Sequence, residues 1–331
     1  MKIDGGFQMH GMTHTDRRAG DAVIEFEGVH MVFSVGIKKP VHALQGLNLE
    51  VTAGSIVGLL GPNGCGKTTT ISCLLGLLHP QGGEVFLWGK RVTGNPPSDP
   101  TRIYGVLLED TKLPPFLNVK SALAVVCRMR GFRERGLEKE LDRVIHTTRI
   151  EGLLNRRISV LSKGQARRVG LGAALVGDPS LLILDEPSAG LDVSAREEFN
   201  ELVRNLRDNH RTIIIASHLL SDIERTCTHI AIMQNGKIIL YEDSETLFSR
   251  AREERGDKDI LVDQKYADNL NDMGIEFRPS KYPGLILILV EEPEHELLLK
   301  LASAKIVPSR IEPKVNLVSL YLDATAEANE Q

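Results

Sequence analysis

The residues most able to do chemistry lie in one short glycine-rich run, GPNGCGKT, from Gly61 to Thr68. Its spacing fits G-x-x-x-x-G-K-[ST], a loop whose backbone N–H groups point at an anion and surround nucleotide phosphates. Lys67 can reach the β- and γ-phosphates, and the Thr68 hydroxyl can ligate Mg²⁺. We therefore predict a nucleotide-binding loop that consists of Gly61, Pro62, Asn63, Gly64, Cys65, Gly66, Lys67, Thr68 and Thr69.

Two secondary-structure elements must position this loop. The apolar run Ser55–Leu60 predicts a buried strand that enters the loop, and Thr69–Leu78 predicts the helix that leaves it. The N-terminus of a helix carries partial positive charge and unpaired N–H groups, so it would favour the negative phosphates. We interpret Cys65 as a small residue that fills the turn rather than as a functional thiol. We still expect its alkylation to block nucleotide binding.

A second chemical group follows in LLILDEP, residues Leu181–Pro187, an apolar strand that ends in two carboxylates. At the carboxyl end of a buried strand, Asp185 can lie beside a Mg²⁺ ion, usually through water. Glu186 would face the attacking water, where a carboxylate can orient the water or take its proton. The alternative is an acidic strand end that only precedes a turn.

The composition is that of an ordinary globular chain of 331 residues, with 42% hydrophobic and 25% charged residues. The net charge of −4 disfavours a dedicated nucleic-acid binder. No apolar stretch approaches the ~18 residues needed to span a bilayer, and residues 1–21 lack the apolar core of a secretory signal. Four cysteines without paired spacing indicate a reduced, cytosolic setting with no disulfide framework or metal cluster.

The order of the predicted elements indicates an α/β fold with a second, smaller domain. Strands alternate with helices across residues 22–243, which predicts a mainly parallel sheet covered by helices, with a helical insert at about 114–177. Between the two opening strands, residues 33–44 (FSVGIKKPVHAL) are expected to form a loop. The remaining expectations are a flexible leader at 1–21, a linker helix at 244–258, and a small α+β accessory domain at 259–331 that ends in a helix capped by Asn316.

Three further motifs carry a family resemblance. LSKGQ (Leu161–Gln165) lies between the loop and the carboxylate pair, SAGLD (Ser188–Asp192) follows the pair, and His218 follows the next strand. In order and spacing the motifs closely resemble the ATPase domains of ABC transporters, whose signature is LSGGQ. The resemblance covers roughly Val23–Asp243 and implies a P-loop NTPase fold (ABC ATPase) with a helical subdomain.

The resemblance implies two ATPase domains that pack head to tail with ATP between them. Ser162, Gly164 and Gln165 of one domain would then act on the nucleotide held by Lys67 of the other. Since this chain holds one set of motifs, we expect it to pair with a second copy or a homologous partner. Lys163 stands at the family's middle glycine, where it would either add a cation near the opposing phosphates or only face solvent.

The resemblance also implies roles for residues that carry little signal alone. His218 corresponds to the histidine that contacts the γ-phosphate, which makes Lys67, Glu186 and His218 the expected catalytic residues. Phe33 stands where the family has an aromatic residue that stacks on adenine, and simple packing is an equal alternative.

The expected metal ligands are Thr68, Asp185 and Glu109. The last of these replaces the family's usual glutamine, as it does in some exporters of the second type. A carboxylate at this position repels the γ-phosphate unless a metal lies between them, so we expect a stronger dependence on Mg²⁺.

Two functions compete for such a chain. One is the ATPase subunit of an exporter, bound at the inner face of the cell membrane to a separate membrane-spanning permease. The alternative is a soluble ABC ATPase of translation or DNA repair. One cassette, no zinc spacing and a negative net charge favour the transporter, with ATP and Mg²⁺ as cofactors. Residues 113–132 resemble the groove that accepts a permease helix, and the C-terminal segment resembles the tail of exporters of the second type.

Overall fold

The computed structural model describes residues 22–34, 40–94, 104–206, 211–224, 226–247, 258–280, 282–289 and 294–313. The chain separates into two compact units. The first is Met1–Cys227 with Ala231–Ile238, and the second is Thr228–Ile230 with Ile239–Gln331. The expected leader, most of the expected linker helix and the C-terminal helix expected from Asn316 lie outside the described residues.

In chain order, the strands of the described residues are β1 (Ala22–Phe33), β2 (Val41–Thr52), β3 (Ile56–Leu60), β4 (Gly82–Leu87), β5 (Lys90–Arg91), β6 (Tyr104–Leu107), β7 (Leu181–Asp185), β8 (Thr212–Ser217), β9 (His229–Gln234), β10 (Lys237–Asp243), β11 (Lys258–Asp263), β12 (Glu276–Pro279), β13 (Leu285–Leu289) and β14 (Arg310–Pro313). The principal helices are α1 (Lys67–Leu74), α2 (Val119–Met129), α3 (Glu134–Thr148), α4 (Lys163–Leu175), α5 (Val193–Asn205), α6 (Leu220–Glu224), α7 (Ala267–Asp272) and α8 (Glu294–Ser303). Among the described residues, no helix combines the length and the apolar character that crossing a bilayer requires.

Two sheets lie in the part of the chain that precedes β11. A six-stranded sheet has the order β10-β9-β3-β8-β7-β6, and its strands β3, β8, β7 and β6 are parallel. A four-stranded antiparallel sheet has the order β2-β1-β4-β5. The mainly parallel sheet predicted from strand–helix alternation is therefore only part of the architecture, because β1 and β2 pair with each other rather than with the central strands.

The prediction of a loop over residues 33–44 is wrong at both of its ends. Phe33 is the last residue of β1, and β2 already begins at Val41, which pairs with Phe33. Ala43 and Leu44 are buried in this extension. The segment is a strand because it pairs with β1, and its own short alternation was too weak to predict this.

Strands β3, β7 and β8 lie side by side and are buried along their whole length. Leu60 is the register partner of Ser217, and Asp185 is the partner of Ala216. Because the strands are parallel, their carboxyl ends meet at one edge of the sheet. That edge gathers the predicted phosphate-binding loop, the carboxylate pair and His218.

Helices α2, α3 and α4 form the helical region between β6 and β7. Asn118 caps α2 by accepting a hydrogen bond of 2.7 Å from the Ser121 N–H. The Glu140 carboxylate of α3 accepts hydrogen bonds from the Arg143 guanidinium and from the Gly177 N–H, which lies just beyond α4 (both 2.6 Å). This buried polar network attaches α3 to the C-terminal end of α4.

The second unit contains a four-stranded antiparallel sheet with the order β12-β13-β11-β14. With α7 after β11 and α8 after β13, the chain order is β-α-β-β-α-β, the ferredoxin-like arrangement. Its core includes Ile260, Val262, Leu270, Ile286, Ile288, Leu297 and Leu301. The sequence pattern did not predict α7, because its six residues ADNLND hold a single large apolar side chain.

Candidate functional site

The predicted phosphate-binding loop joins β3 to α1, and its glycines are required by the backbone. Gly66 has a φ of 116°, and a Cβ added there would lie 2.5 Å from the Ala43 carbonyl oxygen. Gly64 has a φ of 83°, and no atom lies within 4 Å of the position its Cβ would take. At Gly66 both the backbone conformation and the lack of space for a Cβ require glycine, whereas at Gly64 only the backbone conformation favours it.

Helix α1 is displaced toward the loop relative to the sequence prediction. It spans Lys67–Leu74, whereas the prediction was Thr69–Leu78. The helix ends early because the chain turns at Gly76, which has a φ of 69°. Because α1 begins at Lys67, both Lys67 and Thr68 belong to its first turn, where helix N–H groups and the positive end of the helix dipole lie together.

Lys67 connects the loop to the end of β7. Only 5% of its side chain is exposed, and its ammonium donates a hydrogen bond of 2.7 Å to the Gly61 carbonyl oxygen. The same nitrogen lies 3.3 Å from Oε1 of Glu186, an oxygen that has no hydrogen-bond donor among the described residues. The contact is therefore an ion pair without hydrogen-bond geometry. It compensates two charges that would be costly to bury alone.

Thr68 and Asp185 form a second connection between the loop and β7. The Thr68 hydroxyl donates a hydrogen bond of 3.0 Å to Oδ2 of Asp185. Burial raises the pKa of the Asp185 carboxyl, and the charges of Glu186 and Glu109 add to that rise. The other oxygen, Oδ1, is buried and has no hydrogen-bond partner among the described residues. Such an oxygen needs a cation or water to satisfy it.

These two residues fit a Mg²⁺ ion. Mg²⁺ is usually bound by one or two carboxylates together with waters and substrate phosphates, rather than by a cage of protein groups. Oδ1 of Asp185 and the hydroxyl of Thr68 are donors of the right kind. Within the described residues, no group of three or more His, Cys, Asp or Glu side chains could hold a metal ion. A metal bound here would thus be shared between these two side chains and a nucleotide.

Glu186 and His218 lie in direct contact across the sheet edge. Oε2 of Glu186 is 2.7 Å from Nδ1 of His218, and the Glu186 N–H donates a hydrogen bond of 2.8 Å to the Ala216 carbonyl. Glu186 has a φ of 44°, a left-handed conformation that costs a non-glycine residue about 1–3 kcal/mol. The structure thus holds Glu186 in a strained backbone, between the cation of Lys67 and the ring of His218.

The signature motif lies at the start of α4, where its polar residues cap the helix. The Ser162 hydroxyl accepts a hydrogen bond from the Gln165 backbone N–H (3.3 Å), and the side-chain amide oxygen Oε1 of Gln165 accepts one from the Ser162 backbone N–H (3.2 Å), which makes a capping box. Ser162 and Lys163 are both exposed. The Lys163 ammonium lies 3.3 Å from where a Cβ on Gly190 would stand, so the lysine lies over the SAGLD loop of its own chain.

Three further predicted site residues are Glu109, Phe33 and Cys65. Glu109 is exposed, and its backbone carbonyl accepts a hydrogen bond of 2.7 Å from the Arg167 guanidinium. Phe33 is half-buried at the end of β1, opposite Val41. Cys65 is buried, and burial raises the pKa of its thiol. Its alkylation would therefore be slow, because the thiolate is the reactive form.

Sequence reasoning missed a buried carboxylate beside the site. Asp222 of α6 is 1% exposed and accepts hydrogen bonds from the side chains of Ser188, Ser217 and Asn200. Ser217 immediately precedes His218, and Ser188 follows Glu186 by two positions. No local pattern singles this carboxylate out, because His218 precedes the five-residue helix α6 and the spacing of four between the two residues is not a helix-face pairing.

Comparisons with known proteins show the family to which the chain belongs. A protein-family model described as ABC transporter matches residues 44–189. The Nod factor export ATP-binding protein I of Burkholderia lata is 36% identical over 218 residues, which cover 66% of this chain and 70% of that protein. The protein of the same name from Rhizobium etli is 34% identical over 231 residues, 70% of this chain and 71% of that protein. The chain belongs to the ABC transporter family as an ATP-binding subunit, and it is an ATPase.

Solved structures confirm the P-loop NTPase fold that the sequence predicted. The structure of cbiO1 from Clostridium perfringens, part of the ABC transporter complex cbiONQ, has a TM-score of 0.61 at 26% identity. It covers 77% of this chain and 98% of that chain. A dimeric post-hydrolysis state of the ATP-binding cassette MJ0796, bound to ADP and Pi, has a TM-score of 0.60 at 21% identity and covers 67% and 98% of the two chains. Subunits of this family dimerise and work with membrane permease components.

Proposed function

We propose that this subunit hydrolyses Mg²⁺–ATP to energise export through a separate membrane permease, at the cytoplasmic face of the cell membrane. The support for export is the match to relatives named as export ATP-binding proteins, together with the resemblance of the C-terminal segment to exporters of the second type. The cargo would be chosen by the permease, since this subunit would not contact it.

Nucleotide binding is assigned to the loop and the first turn of α1. The loop N–H groups and Lys67 would hold the phosphates, and Phe33 would stack on adenine. Thr68 and Asp185 would hold Mg²⁺, with Glu109 near it. Bound Mg²⁺ would neutralise charge on the triphosphate.

The proposal for catalysis rests on one observation, the position of Glu186 between Lys67 (3.3 Å) and His218 (2.7 Å) at the end of β7. Glu186 would orient a water whose oxygen attacks the γ-phosphorus. The bond from that phosphorus to the bridging oxygen breaks, and ADP leaves with the electron pair. The water's proton passes to the Glu186 carboxylate and later to solvent or phosphate. His218 would keep Glu186 oriented and contact the γ-phosphate.

We assign Ser162, Gly164 and Gln165 to the nucleotide of a second ATP-binding subunit, most simply another copy of this chain. The support is that Ser162 is exposed at the N-terminus of α4, a position that favours an anion. ATP would then hold the two subunits together, and its hydrolysis would release them.

The decisive variant is Glu186→Gln, which keeps the size of the side chain and removes its basicity. We expect ATP turnover to fall by a factor of about 10²–10⁴, while ATP binding persists and ATP-bound dimers accumulate. Turnover is measured by phosphate release, and the dimers by light scattering with and without Mg²⁺–ATP. Wild-type turnover in this variant would remove Glu186 from the role of general base.

The dimer and the permease are tested separately. Full-speed hydrolysis by a strictly monomeric wild-type subunit would contradict the shared site. Affinity purification from solubilised membranes is expected to retain a polypeptide with several membrane-length apolar spans. Retention of ribosomes instead would favour the soluble alternative.

A further inference from the structure

Next to the Glu186–His218 pair, the described residues include a cluster of polar side chains that the proposed chemistry does not use. It consists of Asp222 with Ser188, Ser217 and Asn200. Asp222, Ser188 and Ser217 are each no more than 1% exposed. Burying a carboxylate with two hydroxyls is unfavourable unless all of them are hydrogen-bonded, and here they are.

One arm of the cluster holds the segment that carries Glu186. The Ser188 hydroxyl donates a hydrogen bond to Oδ2 of Asp222. Ser188 lies in a turn closed by the hydrogen bond from the Ala189 N–H to the Glu186 carbonyl (3.1 Å). The Asp222 contact therefore fixes the turn in which the left-handed backbone of Glu186 is found.

The other arm holds the segment that carries His218. The Ser217 hydroxyl donates a hydrogen bond of 3.3 Å to the same Oδ2 of Asp222 and accepts one of 3.0 Å from the Leu219 N–H. The Ser217 hydroxyl thus links the residue before His218 to the residue after it and to Asp222. Asn200 of α5 donates to the second oxygen, Oδ1, at 3.0 Å, which holds the carboxylate from a third side.

We propose that Asp222 is a positioning residue that sets the distance between Glu186 and His218. This inference rests on the proposed roles of that pair. The reasoning is that a strained backbone such as that of Glu186 persists only where surrounding contacts over-determine it. Hydrogen bonds from several donors to one buried carboxyl group are among the strongest contacts available for this purpose. In this role Asp222 would act through Ser188 and Ser217 rather than on the substrate.

The test uses the full chain with Asp222→Asn, which keeps the shape but replaces one acceptor oxygen by a donor. We expect kcat for ATP to fall on the order of 10- to 100-fold, because small misplacements of catalytic groups have effects of this size. The KM for ATP should stay within about threefold, since the phosphate-binding loop is unchanged. Ser188→Ala and Ser217→Ala, which each remove one arm and leave the carboxylate, should lower kcat in the same direction by less.

Two controls separate positioning from general stability. Glu140→Gln alters another buried carboxylate, in the α3–α4 network, and should lower the melting temperature without lowering kcat. In a Glu186→Gln background, Asp222→Asn should cause no further loss of turnover, because the group that it positions is already inactive.

The outcomes are distinguishable. Wild-type kcat in Asp222→Asn and both serine variants would overturn the positioning role and leave the proposed function intact. Should Asp222→Asn fail to fold, the two serine variants decide in the same way. A full additional loss in the Glu186→Gln background would also overturn it. Normal turnover by Glu186→Gln alone would instead overturn the proposed function.

Discussion

The nucleotide-binding edge of the sheet and the N-terminus of α4 differ in how complete they are within one chain. At the sheet edge, Lys67 and Glu186 are buried and compensate each other, and Thr68 contacts Asp185. At the start of α4, Ser162 is exposed, and among the residues that the structure describes its hydroxyl bonds only within its own capping box. Both regions carry motifs of comparable length, yet only one is assembled from distant parts of the chain.

The difference indicates a division of tasks. Buried, mutually compensated charges give fixed positions, which a site for phosphate chemistry requires. An exposed helix N-terminus has free capacity for an anion that arrives from outside. The two regions would therefore be two halves of a site that is complete only when a second subunit supplies its mate.

The largest effect on the nucleotide-binding edge is expected from Lys67→Ala. We expect ATP affinity of the isolated subunit to fall by about 100-fold or more, because the charge that faces the phosphates is lost and Glu186 is left without its ion pair. Lys163→Ala is the matched control, since it removes an exposed lysine from the other region. It should leave this affinity unchanged. Isothermal titration with an ATP analogue measures both, and similar losses in the two variants would abolish the distinction between the regions.

A smaller effect is expected from Ser162→Ala. Loss of the cap should cost about 1 kcal/mol of stability, and turnover should fall by roughly tenfold while the isolated subunit still binds ATP. Asn118→Ala is the control, because it removes the cap of α2 and should cost similar stability without lowering turnover. Phosphate release and thermal melting are measured on both variants. Equal turnover in the two would reduce Ser162 to a helix cap.

The smallest effect concerns the far end of α4. Burial alone would raise the pKa of Glu140, but hydrogen bonds from Arg143 and Gly177 outweigh it and hold that pKa below its ordinary value of 4.5. A lowered folded pKa contributes stability above the unfolded pKa, and this stability is lost as the pH falls through the folded value. We expect Glu140→Gln to reduce the melting temperature by a few degrees at pH 7 and to reduce it less near pH 3. A constant difference across this range would contradict the prediction.

The parts of the site that could be predicted from sequence are those encoded in contiguous runs. Ser55–Thr68 and Leu181–Glu186 each combine a buried strand with the polar residues that follow it, so the strand, the turn and the chemical groups can be predicted together. It could also be predicted that the two runs lie close together, because the carboxyl ends of parallel strands meet at one edge of a sheet. In the structure, β7 matches the predicted strand at Leu181–Asp185.

The parts that could not be predicted depend on partners far away in the sequence. The extension of β2 exists because it pairs with β1, and Asp222 matters only through Ser188, Ser217 and Asn200. A lone aspartate on the five-residue helix α6 has no local pattern that distinguishes it from a solvent-exposed one. The same limit applies to Glu109, whose exposure in the structure could not be inferred from its place after β6.

The left-handed backbone of Glu186 has a consequence for engineering. Glycine adopts that conformation freely, so Glu186→Gly would relieve the steric cost at this position while deleting the carboxylate. The same change leaves the buried Lys67 ammonium without its ion pair, so position 186 balances a steric cost against an electrostatic one, and the substitution removes the proposed base. Directed evolution of this subunit would have to select on heat tolerance and phosphate release together.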